Sequence, residues 1–219
     1  MYTINQSIMK KIVFIGICLI LISCGKKEVL LPQILETVVA DVKDHSPIYM
    51  FFKIDKKDTL VEVNRKSSIV STNWLFNIDK RLPLKLVIPE IQKLQAKKEN
   101  SEHKNAAADN YFTYMDSQKK TLAFLPFTGI VYKMEKPNFE MNFLYFMKNG
   151  KVKCNNQELE KSELEDCLNN LRIEHESEIN IGYDKNLSFE NYISNRFMLK
   201  KLVIKKLGLS INFKTEYIY

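Results

Sequence analysis

Along residues 141–219 the apolar residues switch repeatedly between a period of two and one near 3.6, and the order of those switches leaves few folds open. Met141–Lys148 ("MNFLYFMK") is rich in aromatics and suits a strand. Asn149-Gly150 follows, a pair that tolerates the positive φ of a type I′ hairpin turn. Lys151-Val152-Lys153-Cys154 alternates as the returning strand. Ser162-Glu163-Leu164-Glu165 has the form of a capping box, and Leu164, Cys167, Leu168 and Leu171 then recur on one helical face. Glu178–Tyr183 ("EINIGY") reads as a third strand. Ser188 is placed to cap a longer helix over Phe189–Leu207, with Phe189, Tyr192, Ile193, Phe197, Ile204 and Leu207 as its stripe and Gly208 as its stop. Leu209, Ile211, Phe213, Tyr217 and Tyr219 alternate along a last strand. The expected fold class is α+β, a small sheet-and-helix domain of order β-β-α-β-α-β.

This order resembles the periplasmic domain of the ExbD/TolR family. The residues that carry the resemblance are "KNGKVKCNNQELEKSELEDCL", "INIGYDKNLSFENYI" and "KKLGLSINF". In that family a Gly-turned hairpin precedes a Leu-bearing helix. A strand ending in Asp follows, here Asp184, then a helix opened by an apolar or aromatic residue, here Phe189, then Gly and a final strand. The resemblance implies a non-enzymatic part of an envelope machine that dimerises and binds partner proteins or the cell wall.

The preceding part of the chain, about 46–134, reads as a degenerate copy of the same unit. Asp79-Lys80-Arg81-Leu82-Pro83-Leu84 answers Asp184-Lys185-Asn186-Leu187-Ser188-Phe189. Ile48–Ile54, a turn at Asp55–Asp58 and Thr59–Val63 would form its hairpin. Leu84–Gln95 would form its long helix and Thr121–Lys133 its last strand. Two features depart from the copy: "NRKSSIVST" is too short and β-branched for the first helix, and Pro89 either interrupts the long helix or marks its true start. Lys97–Asn110 reads as a long exposed loop, and Lys136-Pro137-Asn138 as the boundary before a second unit over 138–219. Trp74 and Phe76, on alternate positions of a strand, are expected in the core rather than on a binding platform.

The N-terminus sets the compartment. Lys10 and Lys11 precede the apolar run Ile12–Ile22, which is shorter than the roughly 20 residues a membrane-spanning helix needs. That is the pattern of a signal peptide, residues 1–23. Leu21-Ile22-Ser23-Cys24-Gly25 resembles the lipobox of bacterial lipoproteins, in which the peptide is cut before the cysteine and the thiol is acylated. Cys24 is therefore the expected lipidation site, residues 24–45 the lipidated tether, and the cell envelope the location, facing the periplasm. Translation from Met9 rather than Met1 would leave this reading unchanged.

Cleavage leaves residues 24–219, and losing Lys10 and Lys11 lowers the net charge from +7 to +5. Export argues against nucleic acid as a partner, while the mildly basic surface is compatible with an anionic membrane surface or cell-wall polymer. Only Cys154 and Cys167 remain for the folded part, on inward faces of a strand and a helix. Export permits a disulfide between them, and two buried thiols are the alternative. No CxxC, HExxH, GxSxG, GxGxxG or P-loop is present, and His45, His103 and His175 are widely spaced, so no metal, cofactor or catalytic residue is expected. The sequence thus points to a lipid-anchored, non-catalytic cell-envelope interaction protein, accessory to an ExbD/TolR-type transport or cell-wall complex. Its partners would be the membrane through its lipid, and an envelope protein or the cell wall. The alternative is an envelope hydrolase or other enzyme. The resembled family dimerises, so the last strand, through Ile211, Phe213, Tyr217 and Tyr219, is expected to be where a half, a second copy forming a homodimer, or a partner docks.

Overall fold

The structure, a computed structural model, describes residues 28–138, 142–170, 178–205 and 210–219. The signal peptide, Cys24, Met141, Leu171, His175 and Leu207–Leu209 lie outside the described residues. What is described is a mixed, broadly α+β fold with two multi-stranded sheets and three helices.

The first sheet contains β1 (Gln33–Ile34), β2 (His45–Asp55), β3 (Asp58–Asn64), β4 (Asn73–Ile78), β5 (Asn110–Asp116) and β6 (Thr121–Pro126). Its main order is β3-β2-β4-β5; β6 lies antiparallel on β5 and β1 runs parallel to the end of β5. The second sheet contains β7 (Val131–Lys133), β8 (Phe143–Phe146), β9 (Val152–Cys154), β10 (Gln157–Leu159), β11 (Ile179–Tyr183) and β12 (Ile211–Ile218), in the order β10-β9-β8-β11-β12-β7. The helices are α1 (Leu84–Glu99), α2 (Leu164–Asn170) and α3 (Phe189–Lys205). Helix α1 connects parallel strands β4 and β5, and α3 connects parallel strands β11 and β12.

The register of β2 follows period-two burial. In β2, Ser46, Ile48 and Met50 are buried while Tyr49 faces out. A one-residue slip would turn that whole set to solvent. The β2–β3 hairpin closes through Lys56-Lys57, with Lys56 at a φ of 56°. In the second sheet only Gly150 of the Asn149-Gly150 pair has positive φ, and Met147 N–H bonds the Lys151 carbonyl at 2.9 Å across a three-residue loop. The two-residue turn with positive φ at both positions is instead Asn155-Asn156, joining β9 to β10.

Several sequence expectations are corrected. Pro89 is neither the helix start nor a break, since α1 runs through it from Leu84 to Glu99. Its missing N–H would have served the carbonyl of exposed Lys85, which water can satisfy. The loop expected from Lys97 begins only after Glu99, and Lys98 is buried. The strand after α1 is β5, not Thr121–Lys133. That stretch splits at a turn holding Gly129 at a φ of 78° into β6 and β7, which join different sheets. The capping box before α2 is formed by Glu160 and Glu163, two residues earlier than the Ser162 frame.

One core joins the two sheets. Leu84, Val87, Ile88, Ile91 and Leu94 of α1 bury one stripe. From β5, Phe112 stacks on Phe127 at 3.8 Å and meets Phe189 and Tyr192 of α3 edge-on at 5.3 and 6.0 Å. Tyr114 of β5 packs edge-on against Phe197. Each such ring contact adds ~0.5–1.5 kcal/mol beyond area burial. Trp74 and Phe76 are fully buried in this core.

Candidate functional site

The segments following β4 and β11 are built alike and face each other. Asp79 N–H bonds the Met50 carbonyl at 3.0 Å, and Asp184 N–H bonds the Phe146 carbonyl at 2.9 Å. Each aspartate closes its own turn: Asp79 Oδ1 accepts from Arg81 N–H at 3.0 Å, and Asp184 Oδ1 accepts from Asn186 N–H at 2.7 Å. Pro83 and Ser188 then form an antiparallel bridge. Leu84 N–H donates to the Leu187 carbonyl at 3.0 Å and Phe189 N–H to the Leu82 carbonyl at 2.8 Å. Lys85 N–H donates to the Lys185 carbonyl at 2.7 Å and Glu190 N–H to the Lys80 carbonyl at 3.0 Å. The first amides of a helix have no intrahelical acceptor. Here each helix finds them in the turn that precedes the other helix.

The N-terminal segment is tied to the same junction. Leu30 N–H donates to Asp79 Oδ2 at 3.3 Å, and the Leu30 carbonyl accepts from Lys80 N–H at 2.7 Å. Burial opposes ionisation of Asp79, but Arg81 and the amides of Arg81 and Leu30 hold its carboxyl below the ordinary range.

Behind the junction lies a buried polar cluster. Tyr192 Oη donates to Glu216 Oε2 at 2.6 Å, and Arg196 Nη1 donates to Tyr192 Oη at 3.2 Å. Arg196 Nη1 also stands 3.5 Å from Glu216 Oε1, and Tyr132 Oη of β7 is 3.3 Å from Tyr192 Oη. Burial pushes the Glu216 carboxyl up, against the opposing pull of Arg196 and Tyr192. Glu216 is fully buried, and the cluster fastens β7 and α3 to β12.

An open cleft of about 540 Å³ runs between the C-terminal half of α1, the loop at residues 104–108 and the turn at 128–130. Lys98 and Asn110 line it. Lys98 Nζ donates to Asn110 Oδ1 at 3.0 Å and to the Asp109 carbonyl at 3.3 Å, and lies 5.0 Å from the Trp74 ring centre. Burial holds its ammonium below the ordinary lysine range. Gln92 and Gln95, in the same wall, donate to the Tyr132 and Ile130 carbonyls at 2.9 and 3.3 Å, occupying backbone acceptors at and beside edge strand β7.

The sequence-selected residues fall in three places. Cys154 and Cys167 form a disulfide, with Cα atoms 6.7 Å apart, that ties β9 to α2. Strand β12 is not an edge along its whole length: β11 flanks one side and β7 pairs with Thr215–Tyr217 on the other. Its alternation breaks between Ile211, opposite Ile179, and Glu216, opposite Ile181. Asn212 Oδ1 closes this bulge by accepting from Lys214 and Thr215 N–H. The slip reverses the faces, so Ile211, Glu216 and Ile218 pair with core residues while Tyr217 packs on Phe143. Phe213 is half-buried, and Tyr219 stacks on Tyr145 at 4.6 Å, so the four residues do not form one surface.

Sequence reasoning missed Lys98, Arg196 and Glu216. The one available signal was a glutamate inside the aromatic strand "INFKTEYIY" and an arginine four residues after Tyr192 on a buried stripe. Among the described residues no group of three or more His, Cys, Asp or Glu is placed to hold a metal, and no helix is long and apolar enough to cross a membrane. No family model, curated protein or solved structure matches the chain.

Proposed function

We propose that this chain is a lipid-anchored, non-catalytic interaction protein of the cell envelope, accessory to an ExbD/TolR-type transport or cell-wall complex, in which two related units pair within one polypeptide. The reciprocal bonding of the Asp79–Lys85 and Asp184–Glu190 segments carries the reading. Isologous contact, in which residue i meets j and j meets i, is what a two-fold symmetric pair of subunits makes. The matching strand orders, β3-β2-β4-β5 and β9-β8-β11-β12, support a duplicated unit of order β-β-α-β-α-β that has lost its first helix in the earlier copy. Asp79–Lys85 and Asp184–Glu190 correspond residue for residue, and Met50 and Phe146 hold equivalent places by accepting from the Asp79 and Asp184 N–H.

The N-terminal "LISCGKKE" supports acylation at Cys24 and attachment to a membrane. The apolar run before it carries no carboxylate, so proton coupling of the kind found in the resembled family has no residue here. A body already paired internally has no need of a second copy for that contact, which favours a different protein or the cell wall as its partner.

The test is cross-linking of the full-length chain in intact envelopes, followed by identification of the captured molecules. Capture of components of one envelope complex, lost in Cys24→Ala, is the expected result. Capture unchanged by Cys24→Ala would overturn the anchored reading. The cleft with buried Lys98 favours the enzyme alternative, and a turnover that Lys98→Met abolishes would replace the non-catalytic reading.

A further inference from the structure

We infer that the face bearing Leu30 and Leu35 rests on the bilayer that holds the lipid, so that the body lies on the membrane instead of swinging from a linker. This rests on the reading of Cys24 as the acylated residue. Leu30 is fixed to the folded body by both its N–H and its carbonyl, at Asp79 and Lys80. The segment stays fixed beyond it: the Pro32 carbonyl accepts from Met115 N–H and the Ile34 carbonyl from Ser117 N–H, both at 2.8 Å. Six Cα steps separate Cys24 from Leu30, a reach of at most roughly 20 Å. The polar layer of a leaflet takes up about 5–8 Å of that. A body held so closely must present one side to the headgroups, and the side is the one from which the tether emerges.

The chemistry of that side fits. Leu35 is 72% exposed, more than any other large apolar residue among the described ones, and Leu30 is 40% exposed. Neither has a polar role that would explain the exposure. Lysines flank both: Lys80, paired with Glu190 at 3.1 Å, bonds Leu30, and Lys201 pairs with Glu36 beside Leu35, also at 3.1 Å. Lys119 Nζ reaches Thr37 Oγ1 at 3.3 Å. Exposed leucines flanked by ion-paired lysines can enter the interface while the polar heads remain among the headgroups.

The test uses the membrane-extracted chain, processed to begin at Cys24, in vesicles of phosphatidylethanolamine and phosphatidylglycerol. With Cys24 acylated and Cys154 bonded to Cys167, a cysteine introduced by Leu35→Cys is the one thiol left to carry a fluorophore. Lipids with a headgroup nitroxide should quench it about twofold or more beyond a label at Ile54→Cys on the β2–β3 hairpin. Equal quenching at the two sites, with intact mass showing the acyl chains, overturns the docked face and leaves the anchor standing. A mass without acyl chains overturns the anchor, and the docked face falls with it.

Discussion

Pro83 and Ser188 sit opposite each other as a non-hydrogen-bonded antiparallel pair, bracketed by the bonds from Leu84 to Leu187 and from Phe189 to Leu82. Each residue is the last before a helix, so one bridge fixes the starts of α1 and α3 together. Leu82 and Leu187 beside it are almost fully buried. Leu187→Ala should cost ~2–5 kcal/mol, the usual cost of a buried leucine truncation. Denaturant unfolding measures this. A single cooperative transition should persist, because one core serves both sheets.

Glu216 and Arg196 form a buried pair, and removing one partner strands the other. Glu216→Ala and Arg196→Ala should each cost ~3–5 kcal/mol, while the double variant loses less than the sum. A double-mutant cycle by denaturant unfolding gives the coupling. Strict additivity would mean that the two groups do not interact.

Lys98 makes stability depend on alkaline pH. Its folded pKa lies below its unfolded value, so the unfolded chain holds the extra proton between the two. Stability contributed by this group therefore rises as pH climbs through the folded pKa toward about 10.4, the unfolded lysine value. Lys98→Met should flatten that rise. Thermal unfolding from pH 8 upward, compared between the two proteins, checks the slope.

The disulfide closes a short loop between β9 and α2. Cys154→Ser with Cys167→Ser should lower stability by about 3 kcal/mol in the chain-entropy account. The comparison is made by denaturant unfolding of both proteins.

Gly182 is a point of close approach on the far face of the second sheet. A Cβ there would stand 2.6 Å from Phe143 Cζ and 3.1 Å from Tyr145 Cδ2. Gly182→Ala must push the Phe143 ring aside and should cost ~1–3 kcal/mol, read as a lowered unfolding midpoint. A midpoint equal to the parent would mean that the ring swings away freely.

Local signals were legible where the chain's own chemistry decides the outcome. Ser188 Oγ accepts from Asn191 N–H at 3.3 Å, as a helix cap should, and Cys154 and Cys167 meet. The likeness of Asp79–Leu84 to Asp184–Phe189 was visible in the letters, but their contact was not, because backbone bonds between distant turns carry no side-chain signature. Strand β5 was missed because Tyr111, Thr113 and Met115 share its run with buried Asn110 and Asp116, whose partners lie elsewhere in the fold. The face reversal in β12 depends on Asn212 closing a bulge, which period-two counting cannot foresee. Lys98 looked like solvent charge inside a polar run until Asn110 and Trp74 were brought to it by β5 and β4.

The pairing of the Asp79–Lys85 and Asp184–Glu190 segments inside one chain carries the rest. A non-hydrogen-bonded antiparallel pair holds its Cα atoms about 4.5 Å apart, within disulfide reach. Pro83→Cys with Ser188→Cys should oxidise to a bond within a single chain, seen as one tryptic cross-link between the two peptides in a protein of monomer mass. Free thiols at both positions, or a bond that joins two chains into a covalent dimer, would contradict it.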